Sequence, residues 1–577
     1  MISVRPTPSG IRNLERWSRA LAEAVETAGP AVIGAEDWGA GWDRDALCAD
    51  ARDGFPLMRR LHSLCDRLAE RADATVEVRG RCIGPGFAVA LHASSVAATA
   101  AYTWVGTREA NGGLVPLLDT VHRLLERLPP STATAMLLGD LVPAASIPSR
   151  PARASRRGIG QAGVEAFDRA GSSLPPGAAN ALRRLVEAAD APSGDRHELE
   201  LEILAELLAR PDGDEVRRRY FEFSGPDLFA PASIPGPVAV VGTGKMGTTI
   251  AAACAAAAIP TAVVGRTSAR AAAAVGAAGG GLDRLARRGP LRVDPDASRS
   301  LLTPALEVPH DAWGVVEAVV EDPAAKRAVL DRARAAAPSA WLATTSSALP
   351  IDSLGPDIAL AHFAFPAEVV PVVELSLPDD FDGRDRLLAW LQRLGKRAIE
   401  VADAPGYAVT RLVVAFVLEA LRLHGELGIA PAAIDREALA AGFPLGPMSI
   451  ADAGGLDLLD HVASRVLAPA HGARFAPHRA LAALLADGRL GRDVGQGFYR
   501  WVDGRPVLDA ESTTAPAATD STVDRLRWAV ADEAARCVED GIAASEDIDV
   551  LAVGCARCFP ASWIGPCASL ERAVASA

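Results

Sequence analysis

VAVVGTGKMGTTIAAACAAAA, residues 238–258, is a four-residue apolar run that breaks into glycines and resumes as a helix of small residues. Val238–Val241 has the length and β-branching of a buried strand. Gly242, Gly244 and Gly247 follow as G-x-G-x-x-G, with Lys245 and Met246 between the last two. A turn of this kind needs glycine for a tight bend, for backbone approach to a pyrophosphate and for close helix packing, and it presents a helix N-terminus to the anion. A second apolar strand at 261–264 completes the pattern, so the stretch predicts a Rossmann dinucleotide-binding domain.

That second strand opens TAVVGRTSAR, residues 261–270. Strands at this place usually end in an acid that accepts hydrogen bonds from the NAD ribose, about 20 residues after the fingerprint. Here Gly265 removes the carboxylate that would repel a 2′-phosphate, Arg266 offers a guanidinium fork, and Thr267 and Ser268 offer hydroxyls. NADP(H) is the expected cofactor. The plainer reading is a solvated arginine at a strand end, with NAD bound instead.

The chain has 577 residues, too many for one hydrophobic core, so several domains are expected. It is 49% hydrophobic and 23% charged, which is ordinary for a globular protein, and its formal charge of -13 argues against nucleic acid or an anionic membrane as partner. The N-terminus has no secretory signal pattern and the apolar windows are broken by Pro and Gly, so a cytoplasmic protein is expected. Eight scattered cysteines make no disulfide framework; Cys555 and Cys558 form one close pair without a second, and no metal site is expected. Short apolar runs VVEAVV (315–320) and AWLATT (340–345) alternate with helical segments, the texture of a parallel α/β sheet. After Pro405 the strands stop, and Val409, Leu412, Val413, Phe416, Val417, Ala420 and Leu421 keep helical spacing.

Downstream of the fingerprint, ALAHFAFPAEVVPVVELS places His362 at the end of one apolar strand and Glu374 twelve residues later on another. A strand, turn and return strand would bring them together, and a carboxylate that orients an imidazole suits proton transfer from a hydroxyl. The motifs VAVVGTGKMG, VVEAVVEDPAAKR, ATTSSALPI, AHFAFP, VVEL, DAPGYAVTRLVV, GFPLGPMSIADAGGLDLLDHV and GRLGRDVGQGFYRW occur in an order that resembles the 3-hydroxyacyl-CoA dehydrogenase family, over about residues 236–501. The resemblance implies that His362 is the catalytic base and Glu374 its partner, that Ser346 lies near the substrate's C3 oxygen, and that Glu321 and Lys326 line the nicotinamide and ribose side. Three family asparagines are replaced, by Thr344, Phe365 and Thr410; threonine still offers a hydrogen bond and phenylalanine does not.

GAGWD (39–43) and VRGRCIGPGFAVALHAS (78–94) resemble crotonase landmarks. Pro85 lies inside the glycine triplet that should donate an N–H, Ala88 stands where a catalytic Glu belongs, and the second Glu falls at Arg108 or, with a one-residue shift, Glu109. A hydratase-dead crotonase-like domain is expected over 1–190, a helical linker over 191–235, a Rossmann domain over 236–404, and a helical dehydrogenase domain over 405–503. A second, degenerate helical domain, also without strands, is expected over 520–577. Together these resemble the multifunctional fatty-acid oxidation enzymes. The implied activity is NADP(H)-dependent reduction of a 3-oxoacyl thioester carried on coenzyme A or a carrier protein, by a homodimer. The alternatives are an NAD-dependent dehydrogenase of β-oxidation and a nucleotide- or thioester-binding scaffold without turnover.

Overall fold

The fold was obtained as a computed structural model, which describes residues 35–38, 50–83, 85–98, 104–107, 109–112, 114–138, 142–149, 158–170, 176–209, 234–288, 295–441, 443, 445–502, 505–507, 520–556 and 566–567, with a few isolated positions before residue 35. It falls into two compact units, Met1–Ala230 with Leu282–Ser298, and Pro231–Gly281 with Arg299–Ala577.

In the first unit Thr75–Ile83 is the central strand, paired in parallel with Ala35–Trp38, Ser95–Ala98 and Trp104–Gly106; Val142–Pro143 adds antiparallel to the last. Helices Pro56–Glu70, Pro85–His92, Thr120–Arg127 and Ser193–Ala209 bury Leu61, Leu68, Phe87, Leu124, Ile203 and Leu204 in one core. The helix 193–209 is therefore part of this core, although the expected linker began at residue 191; its apolar face has a partner that local composition does not reveal. Beneath it lies a polar cluster. Leu118 and Asp119 both have positive φ, and their N–H groups donate to the Glu200 carboxylate at 2.5 and 2.9 Å. Arg196 grips Asp119 with two bonds of 2.7 Å.

The second unit is built on an eight-stranded sheet: β1 (Val238–Val241), β2 (Thr261–Val264), β3 (Leu302–Ala305), β4 (Gly314–Glu317), β5 (Trp341–Thr344), β6 (Ile358–Phe363), β7 (Val372–Ser376) and β8 (Arg397–Glu400). They lie in the order β3-β2-β1-β4-β5-β6-β7-β8, parallel except for the β6–β7 pair. The order reverses between β1 and β4, and in open α/β sheets it is at the carboxyl ends of the strands at such a point that ligands bind. The interior strands read as continuous apolar runs because both faces are covered. β3 and β8 escape that pattern: they are the two edges, partly exposed, and carry Thr303, Pro304, Arg397 and Glu400.

Helix α1 (Lys245–Ala256) follows the glycine turn and α2 (Ser268–Arg288) follows β2. Beyond the sheet, α3 (Val409–Leu427) packs along α4 (Asp520–Glu539). The region after Pro405 is not free of strands: Arg500–Val502 and Arg505–Val507 form an antiparallel hairpin, each strand too short to show alternation. Cys558 lies outside the described residues, whereas Cys537, Cys555 and Cys567 are buried thiols. Among the described residues no helix is long and apolar enough to cross a membrane.

Candidate functional site

The glycine turn has the shape its spacing predicts. A Cβ on Gly242, whose φ is 142°, would stand 2.3 Å from the Ala318 carbonyl oxygen, and one on Gly247 would stand 2.2 Å from the Gly242 oxygen. Both glycines are fixed by close backbone approach. Among the described residues a Cβ on Gly244 would meet nothing within 4 Å; this glycine precedes the α1 N-terminus, the kind of helix end at which phosphates bind. These residues fit a dinucleotide. Lys245 and Met246 begin α1, with Lys245 half exposed.

At the end of β2, Gly265 is buried and Arg266, Thr267, Ser268 and Arg270 are exposed. Thr267 Oγ1 accepts the Arg270 N–H at 3.3 Å and so opens α2. The structure adds a second reason for the glycine: a Cβ at 265 would lie 2.9 Å from both Ala271 N and Thr243 Cγ2. Packing by itself therefore selects glycine at this position.

The His362–Glu374 pair is brought together as a directly opposed pair on antiparallel β6 and β7, with Nδ1 2.8 Å from Oε2. With Nδ1–H on the carboxylate, Nε2 is the nitrogen left to face a substrate. The other Glu374 oxygen accepts N–H groups from Ala408 and Val409 at 2.7 and 3.1 Å, at the N-terminus of α3. The carboxylate thus meets the positive end of a helix as well as the imidazole. Thr410, the second residue of α3, is nearly buried one residue beyond that contact. Phe365, in the turn between the two strands, is 49% exposed.

Ser346, Glu321 and Lys326 also meet, differently from the expectation. Ser346 is buried and its hydroxyl is fully engaged, donating to Glu321 Oε1 at 2.6 Å and accepting the Leu349 N–H at 2.9 Å. The same Glu321 oxygen accepts the N–H groups of Ser347 and Ala348 at 3.0 Å. Lys326 is buried between two carboxylates, 3.1 Å from Glu317 and 3.2 Å from Glu321. Burial works to raise the Glu321 carboxyl, but the Lys326 charge and the Ser346 and Ala348 hydrogen bonds outweigh it and hold it below its ordinary range.

Two residues that order this network do not stand out in the sequence. Glu317 ends β4 in an apolar run, takes the Thr344 hydroxyl at 2.7 Å and the Val319 N–H at 2.6 Å, and fixes Lys326. A single acid inside VVEAVV is the available signal. Asp403 is the other: its carboxylate accepts the Ile351 and Asp352 N–H groups and ties the Ser346 loop to the segment entering α3.

Residues 237–404 match the NAD binding domain of 3-hydroxyacyl-CoA dehydrogenase, and residues 406–501 match the C-terminal domain of that enzyme. Residues 237–501 belong to the 3-hydroxyacyl-CoA dehydrogenase family. Among curated relatives, the fatty acid oxidation complex subunit alpha of Shewanella sp. (strain MR-7) is 30% identical over 393 residues, covering 62% of this chain and 54% of its own. The same subunit from Shewanella loihica is 32% identical over 262 residues, covering 42% and 37%. The chain thus spans about half the length of these relatives or less. Similar solved structures include FadB2 of M. tuberculosis, 28% identical with a TM-score of 0.43, covering 46% of this chain and 99% of that one. A 3-hydroxybutyryl-CoA dehydrogenase from Escherichia coli is 22% identical with a TM-score of 0.49, covering 59% and 91%. Apart from Leu282–Ser298, which group with the first unit, both matched domains lie in the second unit, and together they hold the glycine turn, the His362–Glu374 pair and the Glu317–Lys326–Glu321 network.

Proposed function

We propose that the chain reduces a 3-oxoacyl thioester to the 3-hydroxyacyl thioester, with NADPH preferred. The observation that carries this reading is the His362–Glu374 pair at 2.8 Å, in a dinucleotide-binding domain whose second strand ends in Gly265 and Arg266. Gly242, Gly244, Gly247 and the α1 N-terminus would hold the pyrophosphate, and Arg266, Thr267 and Ser268 the 2′-phosphate. A dinucleotide held there would supply the hydride for C3. His362, protonated at both nitrogens and held through Nδ1 by Glu374, gives its Nε2 proton to the oxygen forming at C3; in the reverse direction it removes that proton. Glu321, kept ionised by Lys326, marks the nicotinamide side, with Ser346 as its support.

The first unit is read as crotonase-like and without hydratase chemistry. Ala88 is a buried methyl where an acid/base is needed, and Pro85 opens its helix with no N–H to donate. Arg108 lies outside the described residues, and Glu109 is buried on the short turn Glu109–Gly112. A cytoplasmic homodimer acting in biosynthesis, on a coenzyme A or carrier-protein thioester, completes the proposal.

A second reading, NAD-dependent 3-hydroxyacyl-CoA oxidation, is favoured by the packing demand on Gly265, which accounts for the missing acid without a change of cofactor. The deciding experiment is NADPH oxidation with acetoacetyl thioesters of coenzyme A and of a carrier protein, repeated with NADH. Turnover at a lower KM for NADPH is expected; equal or better use of NADH would establish the second reading, and no turnover with either would leave a binding scaffold.

A further inference from the structure

Lys245 stands between the second and third fingerprint glycines as the first residue of α1, with its side chain 47% exposed. Its ammonium meets the carboxylate of Asp493, 66% exposed, from a turn 248 residues later in the chain. That turn is firmly built. Gly491 and Gly495 both have positive φ, Gly491 and Gln496 bond each other's backbone at 2.8 and 3.1 Å, and a Cβ on Gly491 would stand 2.4 Å from the Asp452 carbonyl oxygen. The Asp452 carboxylate accepts N–H groups from Phe498, Tyr499 and the Trp501 indole at 2.8 to 2.9 Å. Arg492 lies over the Trp501 ring at 5.7 Å. Asp493 is therefore presented to Lys245 by a turn held through the Gly491–Gln496 backbone pair, with the adjoining Asp452 and Arg492 engaged elsewhere.

A carboxylate beside a pyrophosphate seat opposes what that seat must bind, because it neutralises the nearest ammonium and adds a like charge. We propose that Asp493, supplied by the C-terminal helical domain, is a displaceable counterion of the dinucleotide site. It holds Lys245 until the pyrophosphate takes the ammonium over, and its return to Lys245 favours release. Cofactor affinity is thereby set partly from outside the Rossmann domain. The inference rests on dinucleotide binding at the glycine turn and is indifferent to the choice between NAD and NADP.

The pair is exposed, so its effect is small and salt-sensitive. Asp493→Asn in the full chain should bind NADPH and NADH each about three- to fivefold more tightly at low ionic strength, with the gain shrinking in high salt. Inorganic pyrophosphate should compete correspondingly better, and Lys245→Met should weaken both dinucleotides. Thermal melting checks that the variants are folded, and a gain in affinity is not what mere structural damage produces. Unchanged or weaker dinucleotide binding by a folded Asp493→Asn protein overturns the proposal while leaving the dinucleotide site intact. A parent chain that binds neither dinucleotide overturns both.

Discussion

At the scale of single residues, the 2.8 Å contact between His362 Nδ1 and Glu374 fixes which ring nitrogen faces outward. In the proposed reaction that imidazole is the group that carries the proton. His362→Ala should lower turnover by about 10³-fold while dinucleotide affinity, read by fluorescence titration, stays at the parent value. Arg266→Ala should raise KM for NADPH about tenfold and leave that for NADH unchanged, as expected for a lost charge-assisted contact to a phosphate. Gly265→Asp should not simply exchange one cofactor for the other. Its Cβ would press on Ala271 N and Thr243 Cγ2, so affinity for both dinucleotides should fall in the same titration. The His–Glu pair is legible in the sequence because strand alternation and a short turn determine which residues face each other. The engagement of Ser346 and Lys326 is not legible, since their partners Glu321 and Glu317 belong to different segments whose register the sheet decides.

At the scale of elements, α3 and α4 are joined by charges inside an apolar contact. Arg411 of α3 is fully buried and meets Glu533 of α4 at 2.6 Å, while Arg474 approaches the same carboxylate at 2.8 Å. Removing the shared acid leaves a buried guanidinium with a weaker set of partners, so Glu533→Ala should lose about 3 kcal/mol in a denaturant titration. Replacing both Arg411 and Glu533 by apolar residues of similar volume should be much less damaging. The helical period of 409–421 is plain in the sequence. Its match with α4 depends on residues far along the chain, and the edge strands β3 and β8 escape notice because an edge does not require a continuous apolar run.

At the scale of the molecule, each unit carries its own electrostatic framework. In the first, burial works to raise the Asp119 carboxyl, but the Arg196 fork overrides it and brings the pKa down to about 2. The unfolded chain then binds the proton first. The stabilisation is complete above pH 3.8 and is lost as pH falls from 3.8 to about 2, an amount on the order of 2 kcal/mol. Acid titration followed by circular dichroism should show this loss, and Asp119→Asn should start less stable at neutral pH and lose less on acidification. By itself the sequence determined the dinucleotide turn, the strand–turn–strand that opposes His362 and Glu374, and the helical period of 409–421, because each rests on a local period or a short spacing. Tertiary structure alone decided the second demand on Gly265, the burial of Ser346 and Lys326, the place of helix 193–209 in the first core and the meeting of Lys245 with Asp493. Those depend on which distant surfaces come within a few ångströms of one another, and local spacing does not encode that distance.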